Sequence, residues 1–312
     1  MKAIVYNKKS LPNKLVLTQV EKPTPTDNEV LVKIHAVSLN AADYRSMNMG
    51  LIPKKKIFGA DIAGVVESVG KNIQKFKPGN ELIGDLADYG FGGLAEFALA
   101  PERLLAFKPA NVSFEQASAL PLSAVTALQA LRDKACIRSG QEVLIIGSGG
   151  GVGTFAVQLA KYFGTNVTAV CSTKNLGLAV SLGADHIIDY TKESFSKSGK
   201  TFDIIIAVNG NYSILECRRS LKPNGIYVMV GGAFPQIFKS LLFGWVLSFG
   251  SKKIRSLAAK SNADDLGFIA TLARENMIKP YIDSVFPLEK AGEAMSYLRK
   301  GHAQGKVVIK VE

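Results

Sequence analysis

The stretch VLIIGSGGGVGTFAVQLAK, residues 143–161, constrains this chain more than any other, because it joins an apolar run to a helical one through a turn of almost pure glycine. Residues 143–146 read as a buried central strand of a parallel sheet, and a helix is expected to open at about Val152. Gly150 and Gly153 let the backbone bend sharply and approach a ligand that a Cβ would block. The unpaired N–H groups and positive dipole end of the helix then face an anion, so Gly147, Gly150, Gly151, Val152 and Gly153 form a candidate phosphate cradle. The spacing is the looser G-x-x-G-x-x-G, not a strict G-x-G-x-x-G, and on the turn alone a bare connector stays open as the alternative.

The segment after the helix indicates which phosphate compound fits. Residues 166–170 form a second short apolar strand about 20 residues after the turn, where a dinucleotide-binding fold presents a side chain to the adenosine ribose. A site for NAD would place Asp or Glu there, yet no acid occurs between Asn166 and Ala184. The segment instead reads CSTKN, 171–175, in which Ser172, Thr173 and Lys174 offer two hydroxyls and a cation to a 2′-phosphate. NADPH is therefore the expected cofactor, with an ordinary polar loop as the alternative.

At 312 residues the chain exceeds the size at which a single core usually splits. Its three cysteines, Cys136, Cys171 and Cys217, are widely spaced and suggest neither a disulfide framework nor a C-x-x-C site. A cytoplasmic location is expected, since MKAIVYN alternates like a strand and lacks the apolar core of a signal peptide. The net charge of +12 raises nucleic acid as a partner, but there is no zinc finger or RNP pattern, and aromatic residues do not interleave with the basic ones. The apolar run 233–249 is interrupted by Pro235 and Lys239 and is short for a membrane span. It is read as pocket wall and subunit interface beside a solvated basic fringe, with peripheral membrane contact as the alternative. Main-chain pairing through 241–249 would make a homodimer.

Before the glycine turn the chain reads mostly as short strands, at 2–6, 15–20, 29–37, 62–69, 81–84 and 95–100, which suggests a barrel-like lobe. Ser113 with Glu115 and Gln116 marks a helix start, and helical spacing continues through Leu131. From Glu142 onward strands and helices alternate as in β-α-β units, with strands near 143, 167, 186–188, 204–208 and 226–230. A helix is expected over 261–276 and a last strand in GKVVIKV.

The segments EVLVKIHAVSLNAADYR (29–45), GADIAGVVESVG (59–70), FKPGNELIG (76–84), GGLAEFALAP (92–101) and ALPLSAVTALQAL (119–131) precede the glycine turn, and LGADHIIDY (182–190) comes after it. In this order they resemble the medium-chain dehydrogenase/reductase superfamily over essentially the whole chain. The resemblance implies an α/β protein with a GroES-like β-barrel catalytic domain (1–122) and a Rossmann domain with a doubly wound parallel sheet (123–261). A C-terminal segment (262–312) would return to the first lobe, with the active site in the cleft between lobes. Zinc alcohol dehydrogenases of the superfamily have a cysteine where this chain has Asn40 and a histidine where it has Ala60, and the segment 84–93 has no cysteine for a structural zinc. His35, His186 and His302 are scattered, so no metal site is expected.

What remains resembles the zinc-free quinone oxidoreductase and enone reductase branch, which implies hydride transfer from NADPH to a quinone or an α,β-unsaturated carbonyl. By the same resemblance Asn40 would orient the substrate through its amide, and Tyr44 would be a donor or a packing residue. Asp43 would be a buried structural acid, and Ala42 stands where zinc enzymes keep a proton-relaying hydroxyl. Thr126, Asn209, Gly210, Gly231 and Gly232 would lie along the nicotinamide and its ribose, and Tyr190 beside the adenosine phosphate. Lys306 would reach the cofactor phosphates or be a surface charge. Two rivals remain open from sequence: a non-catalytic NADPH-binding redox sensor, and an alcohol dehydrogenase with an unusual metal site.

Overall fold

A computed structural model describes residues 1–9, 14–209, 212–231 and 250–311. The chain divides into two compact units, Met1–Val125 with Lys260–Glu312, and Thr126–Ala259. The first unit opens with an antiparallel pair, β1 (Lys2–Tyr6) and β2 (Leu15–Gln19). Its spine is β3 (Glu29–Leu39), which is paired on both edges and has almost all of its side chains buried. The short helix α1 (Ala41–Asn48) comes directly after it, starting from Asn40 in extended conformation.

The strands β4 (Asp61–Val69), β5 (Glu81–Asp85), β6 (Phe97–Pro101) and β7 (Leu105–Phe107) complete the N-terminal half of the lobe. β4 pairs antiparallel with β3 through two bulges, which bend the ladder, and Asp61 opposes Asp85 where β4 meets β5. The helix expected from Ser113 does start there, with a capping box between Ser113 and Gln116. It does not run on to Leu131. It stops as α2 (Phe114–Ser118) and restarts as α3 (Pro121–Gln129), and a π-helical turn (Ala130–Lys134) succeeds it. Pro121 is the cause: its ring disfavours helical geometry at Leu120, while its fixed φ suits the first position of a new helix.

The second unit is a six-stranded parallel sheet of β8 (Glu142–Ile146), β9 (Asn166–Cys171), β10 (His186–Asp189), β11 (Phe202–Ala207), β12 (Leu221–Met229) and β13 (Lys253–Ser256). The spatial order β10-β9-β8-β11-β12-β13 reverses direction between β8 and β11, the doubly wound arrangement in which ligands bind beyond the strand ends at the reversal point. β13 is a strand not expected from the sequence inside the basic stretch 239–260. Ile254 is buried in the sheet core and pairs with Tyr227, while its charged neighbours are more exposed. The helix α4 (Gly151–Tyr162) opens within a residue of the expected start and buries its apolar face through Phe155, Ala156 and Leu159.

The chain then returns to the first unit with a helix at Ala263–Arg274, β14 (Ile282–Pro287), a helix at Ala291–Arg299 and β15 (Lys306–Lys310). β15 lies between β14 and the C-terminal half of β3, which brings Lys306 into the lobe built by the first 125 residues. The apolar run 233–249, and with it the expected dimer strand and membrane contact, lies outside the described residues.

Candidate active site

The glycine turn between β8 and α4 is built for close backbone approach. Gly147 adopts φ +84°, and a Cβ on Gly153 would lie 2.1 Å from the Gly147 carbonyl oxygen, so neither position takes a side chain without a backbone shift. Gly150 is the N-cap of α4, with no side chain capping the helix, and a Cβ there would meet nothing nearer than the Gly147 carbonyl oxygen at 3.9 Å. The first turn of α4, including Gly151 and Val152, thus offers backbone donors and the positive end of a 12-residue helix beside open space. Phosphate fits this cradle.

A Cβ on Gly149 would clash at 2.5 Å with the Asn175 side chain, so the turn packs directly on the loop after β9. In that loop Ser172 accepts a hydrogen bond from Asn175 Nδ2 at 3.1 Å, and Lys174 is exposed. Thr173 departs from expectation. Its hydroxyl lies 2.6 Å from Asp189 Oδ2, to which it donates, and 3.0 Å from Thr191 Oγ1. The parallel register that sets Asp189 beside Cys171 brings this carboxylate to the loop, and the bond from Thr173 holds its pKa below the usual carboxylate range. Tyr190, next along the chain, is 54% exposed. Asn209 and Gly231 line one recess at the ends of β8, β11 and β12, together with Tyr212 and Met229. Thr126 is buried on α3, and Gly210 and Gly232 lie outside the described residues.

In the first unit, four polar side chains from distant parts of the chain meet in a buried cluster. Asn40 ends β3, Asp61 begins β4, Ser123 lies in the first turn of α3, and Lys306 begins β15. Their exposures are 5%, 0%, 2% and 2%, so solvent screens the cluster little and its internal hydrogen bonds weigh heavily in its chemistry. Lys306 Nζ donates to Asn40 Oδ1 at 2.6 Å and Ser123 Oγ at 2.9 Å, and lies 3.3 Å from Asp61 Oδ2. Asn40 Nδ2 donates to Asp61 Oδ2 at 2.8 Å and to the Ser38 carbonyl at 3.2 Å. Asp61 Oδ1 accepts from the Leu122 N–H at 2.8 Å, which anchors the start of α3.

This arrangement revises two expectations. Both amide hydrogens of Asn40 have protein acceptors, so its side chain is a fixed link and not an open donor to a substrate carbonyl. Lys306 is neither a surface charge nor directed at phosphates, because its three donors are taken up inside the first unit. Asp61 and Ser123 were missed by sequence reasoning; the one local signal was an acid in the apolar run GADIAGVV. Tyr44 packs against the hydrophobic core of the lobe. Asp43 is fully buried and accepts from the N–H groups of Asn40 and Gly59 at 2.8 and 2.9 Å, fixing the start of α1.

Burial pushes the Asp43 carboxyl up to about 6, and burial with the nearby Asp61 charge pushes Asp85 up to about 7. Burial also raises Asp61, against which the Lys306 ammonium acts.

Comparison with known proteins places this geometry. Residues 26–110 match the family model described as alcohol dehydrogenase GroES-like domain, and residues 182–309 the one described as zinc-binding dehydrogenase. The chloroplast envelope quinone oxidoreductase homolog of Arabidopsis thaliana is 36% identical over 307 residues, covering 93% of this chain and 92% of that protein. The chloroplastic NADPH-dependent alkenal/one oxidoreductase of the same plant is 31% identical, covering 99% of this chain and 79% of that protein. Among solved structures, the quinone oxidoreductase from Coxiella burnetii superposes with a TM-score of 0.89 at 29% identity, covering 100% of this chain and 99% of that one.

The zinc in one of these descriptions can be tested against the donors present. Asn40 turns its amide nitrogen to Asp61, Ala60 has only a methyl group, and the Asp61 carboxylate is engaged by Lys306 and Leu122. Among the described residues no group of three or more His, Cys, Asp or Glu could hold a metal ion. The described residues at this position do not fit zinc.

Proposed function

The chain belongs to the medium-chain dehydrogenase/reductase superfamily, in its quinone oxidoreductase branch, and we propose that it is an NADPH-dependent, zinc-independent oxidoreductase reducing a quinone or the double bond of an α,β-unsaturated carbonyl. The observation that carries this reading is the uncapped first turn of α4, open beside Gly150 and closed to side chains at Gly147 and Gly153. Its backbone N–H groups from Gly151 to Gly153 suit a pyrophosphate. Ser172 and Lys174 are the groups we assign to the 2′-phosphate, and Asn209 and Gly231 to the ribose and nicotinamide end.

NADPH, when bound, supplies the hydride. The protein must then stabilise the negative charge that develops on the substrate carbonyl oxygen, and without a Lewis acid this falls to hydrogen bonds and fixed charges. Two buried free cysteines and an exposed one support a reducing compartment, and we propose a homodimer as the working assembly.

Steady-state loss of NADPH absorbance with 9,10-phenanthrenequinone and with a long-chain enone, after dialysis against a chelator, tests the proposal. Undiminished turnover supports it. Tight NADPH binding without turnover selects the redox-sensor reading, and activity lost together with one zinc per chain selects the metal alcohol dehydrogenase.

A further inference from the structure

The cluster of Asn40, Asp61, Ser123 and Lys306 holds a buried ion pair that the proposed function does not yet use. Burying an ammonium and a carboxylate is costly, and a well-packed apolar pair in the same place is commonly as stable or more so. Stability is thus a poor reason for Lys306. Its position suggests another: it stands against Asn40 and Asp61, where the described residues offer no ligand set for a metal, and supplies a fixed positive charge there.

The hydrogen-bond inventory shows where that charge can act. An ammonium has three N–H donors, and Lys306 has three acceptors. Asn40 has two amide hydrogens and two acceptors, at 2.8 and 3.2 Å. Asp61 accepts only. Ser123 differs. Its oxygen accepts from Lys306 at 2.9 Å, while the nearest acceptor for its own hydrogen is Asn40 Oδ1 at 3.4 Å, an oxygen already bonded to Lys306 at 2.6 Å. The Ser123 hydroxyl is therefore the weakly committed donor of the cluster, polarised by the ammonium and lying in the first turn of α3, whose dipole adds to the positive potential.

We propose that Ser123 is the hydrogen-bond donor to the substrate carbonyl oxygen and that Lys306 is its positioning residue, a built-in cation acting where a metal would stand. This inference rests on the proposed reduction for its substrate class. As charge develops on the oxygen the Ser123 hydroxyl turns from its long contact with Asn40 to the stronger acceptor, while Lys306 keeps Asn40 and Asp61 in place. No proton transfer is required of either residue.

A phenolate oxygen resembles the oxygen of a partly reduced quinone, and binding of 4-nitrophenol reports on it without any turnover. In the wild-type protein saturated with NADP⁺, the phenolate is expected to bind about tenfold more tightly than the phenol, read from the absorbance of the bound species across pH. Lys306→Met should abolish that preference and Ser123→Ala should reduce it severalfold, while Lys306→Arg retains most of it. In turnover, Lys306→Met and Ser123→Ala should lower kcat by about 10- to 100-fold with KM for NADPH unchanged. Should Lys306→Met fail to fold, Ser123→Ala carries the test alone. A folded Ser123→Ala protein with wild-type phenolate preference overturns the proposal, as does a wild-type protein that prefers the neutral phenol or binds neither form. A phenolate preference without any turnover in the wild type would instead retire the proposed reduction and leave the oxyanion site standing.

Discussion

Lys174 lies on the 3-10 turn Thr173–Asn175 beyond β9, exposed, two residues from Ser172. If it meets the 2′-phosphate, a charge-assisted contact of about 1.5–3 kcal/mol is at stake. Lys174→Ala should then raise KM for NADPH by about 10- to 100-fold and leave NADH nearly unchanged, as steady-state kinetics with both cofactors would show. Equal weakening of both would move Lys174 to the pyrophosphate. The neighbouring Thr173 shows how far such residues are legible: its type suited the phosphate, but its hydroxyl is claimed by Asp189, 16 positions away. Asn40 and Lys306 are misread for the same reason, since their partners come from four separate segments and no local pattern encodes that meeting.

Asp85 is a further case, with a carboxyl raised to about 7 by burial and by Asp61. A folded pKa above the unfolded value means that the native state binds the proton more tightly, so stability is greatest at low pH and falls as pH rises toward 7. Between pH 5 and 8 the loss should be roughly 1–3 kcal/mol, and Asp85→Asn should flatten this slope in urea melts at the two pH values.

The glycine turn makes two substitutions informative as a pair. Gly153→Ala forces a Cβ to within 2.1 Å of a backbone oxygen, and urea denaturation should show a loss of about 2–3 kcal/mol. Gly150→Ala has nothing nearer than 3.9 Å and should stay within about 1 kcal/mol of the wild type. It would nevertheless place a methyl group in the cradle, and a rise of about tenfold or more in Kd for NADPH, by fluorescence titration, is expected. Most elements were legible because their signals are local: the β8 run, the Ser113 capping box, and β1 to β6 with β15 in the first lobe, whereas β7 and β14 carry no comparable signal. The exceptions have identifiable causes. Pro121 at the start of α3 sits inside an apolar run whose helical spacing hides the break, and the four-residue β13 is recognisable as a strand only from its pairing with β12.

Over the whole chain, alternation of strands and helices after Glu142 pointed to a doubly wound sheet, whereas the entry of β15 into the N-terminal lobe depends on pairing across more than 250 residues. The charge of +12 excluded little by itself, and among the described residues no helix is long and apolar enough to cross a membrane. The phosphate cradle belongs to the second unit and the buried cation cluster to the first. The decisive experiment tracks the hydrogen itself: NADPH deuterated at the transferable C4 position is incubated with 3-nonen-2-one, with 9,10-phenanthrenequinone as a parallel acceptor, and the products are analysed by NMR and mass spectrometry. The expected product is a saturated ketone with deuterium on the former β-carbon, or, if quinones alone are accepted, the hydroquinone with matching NADP⁺. Deuterium on the carbinol carbon of an allylic alcohol, or no NADP⁺ formed with either acceptor, would contradict the proposed reduction.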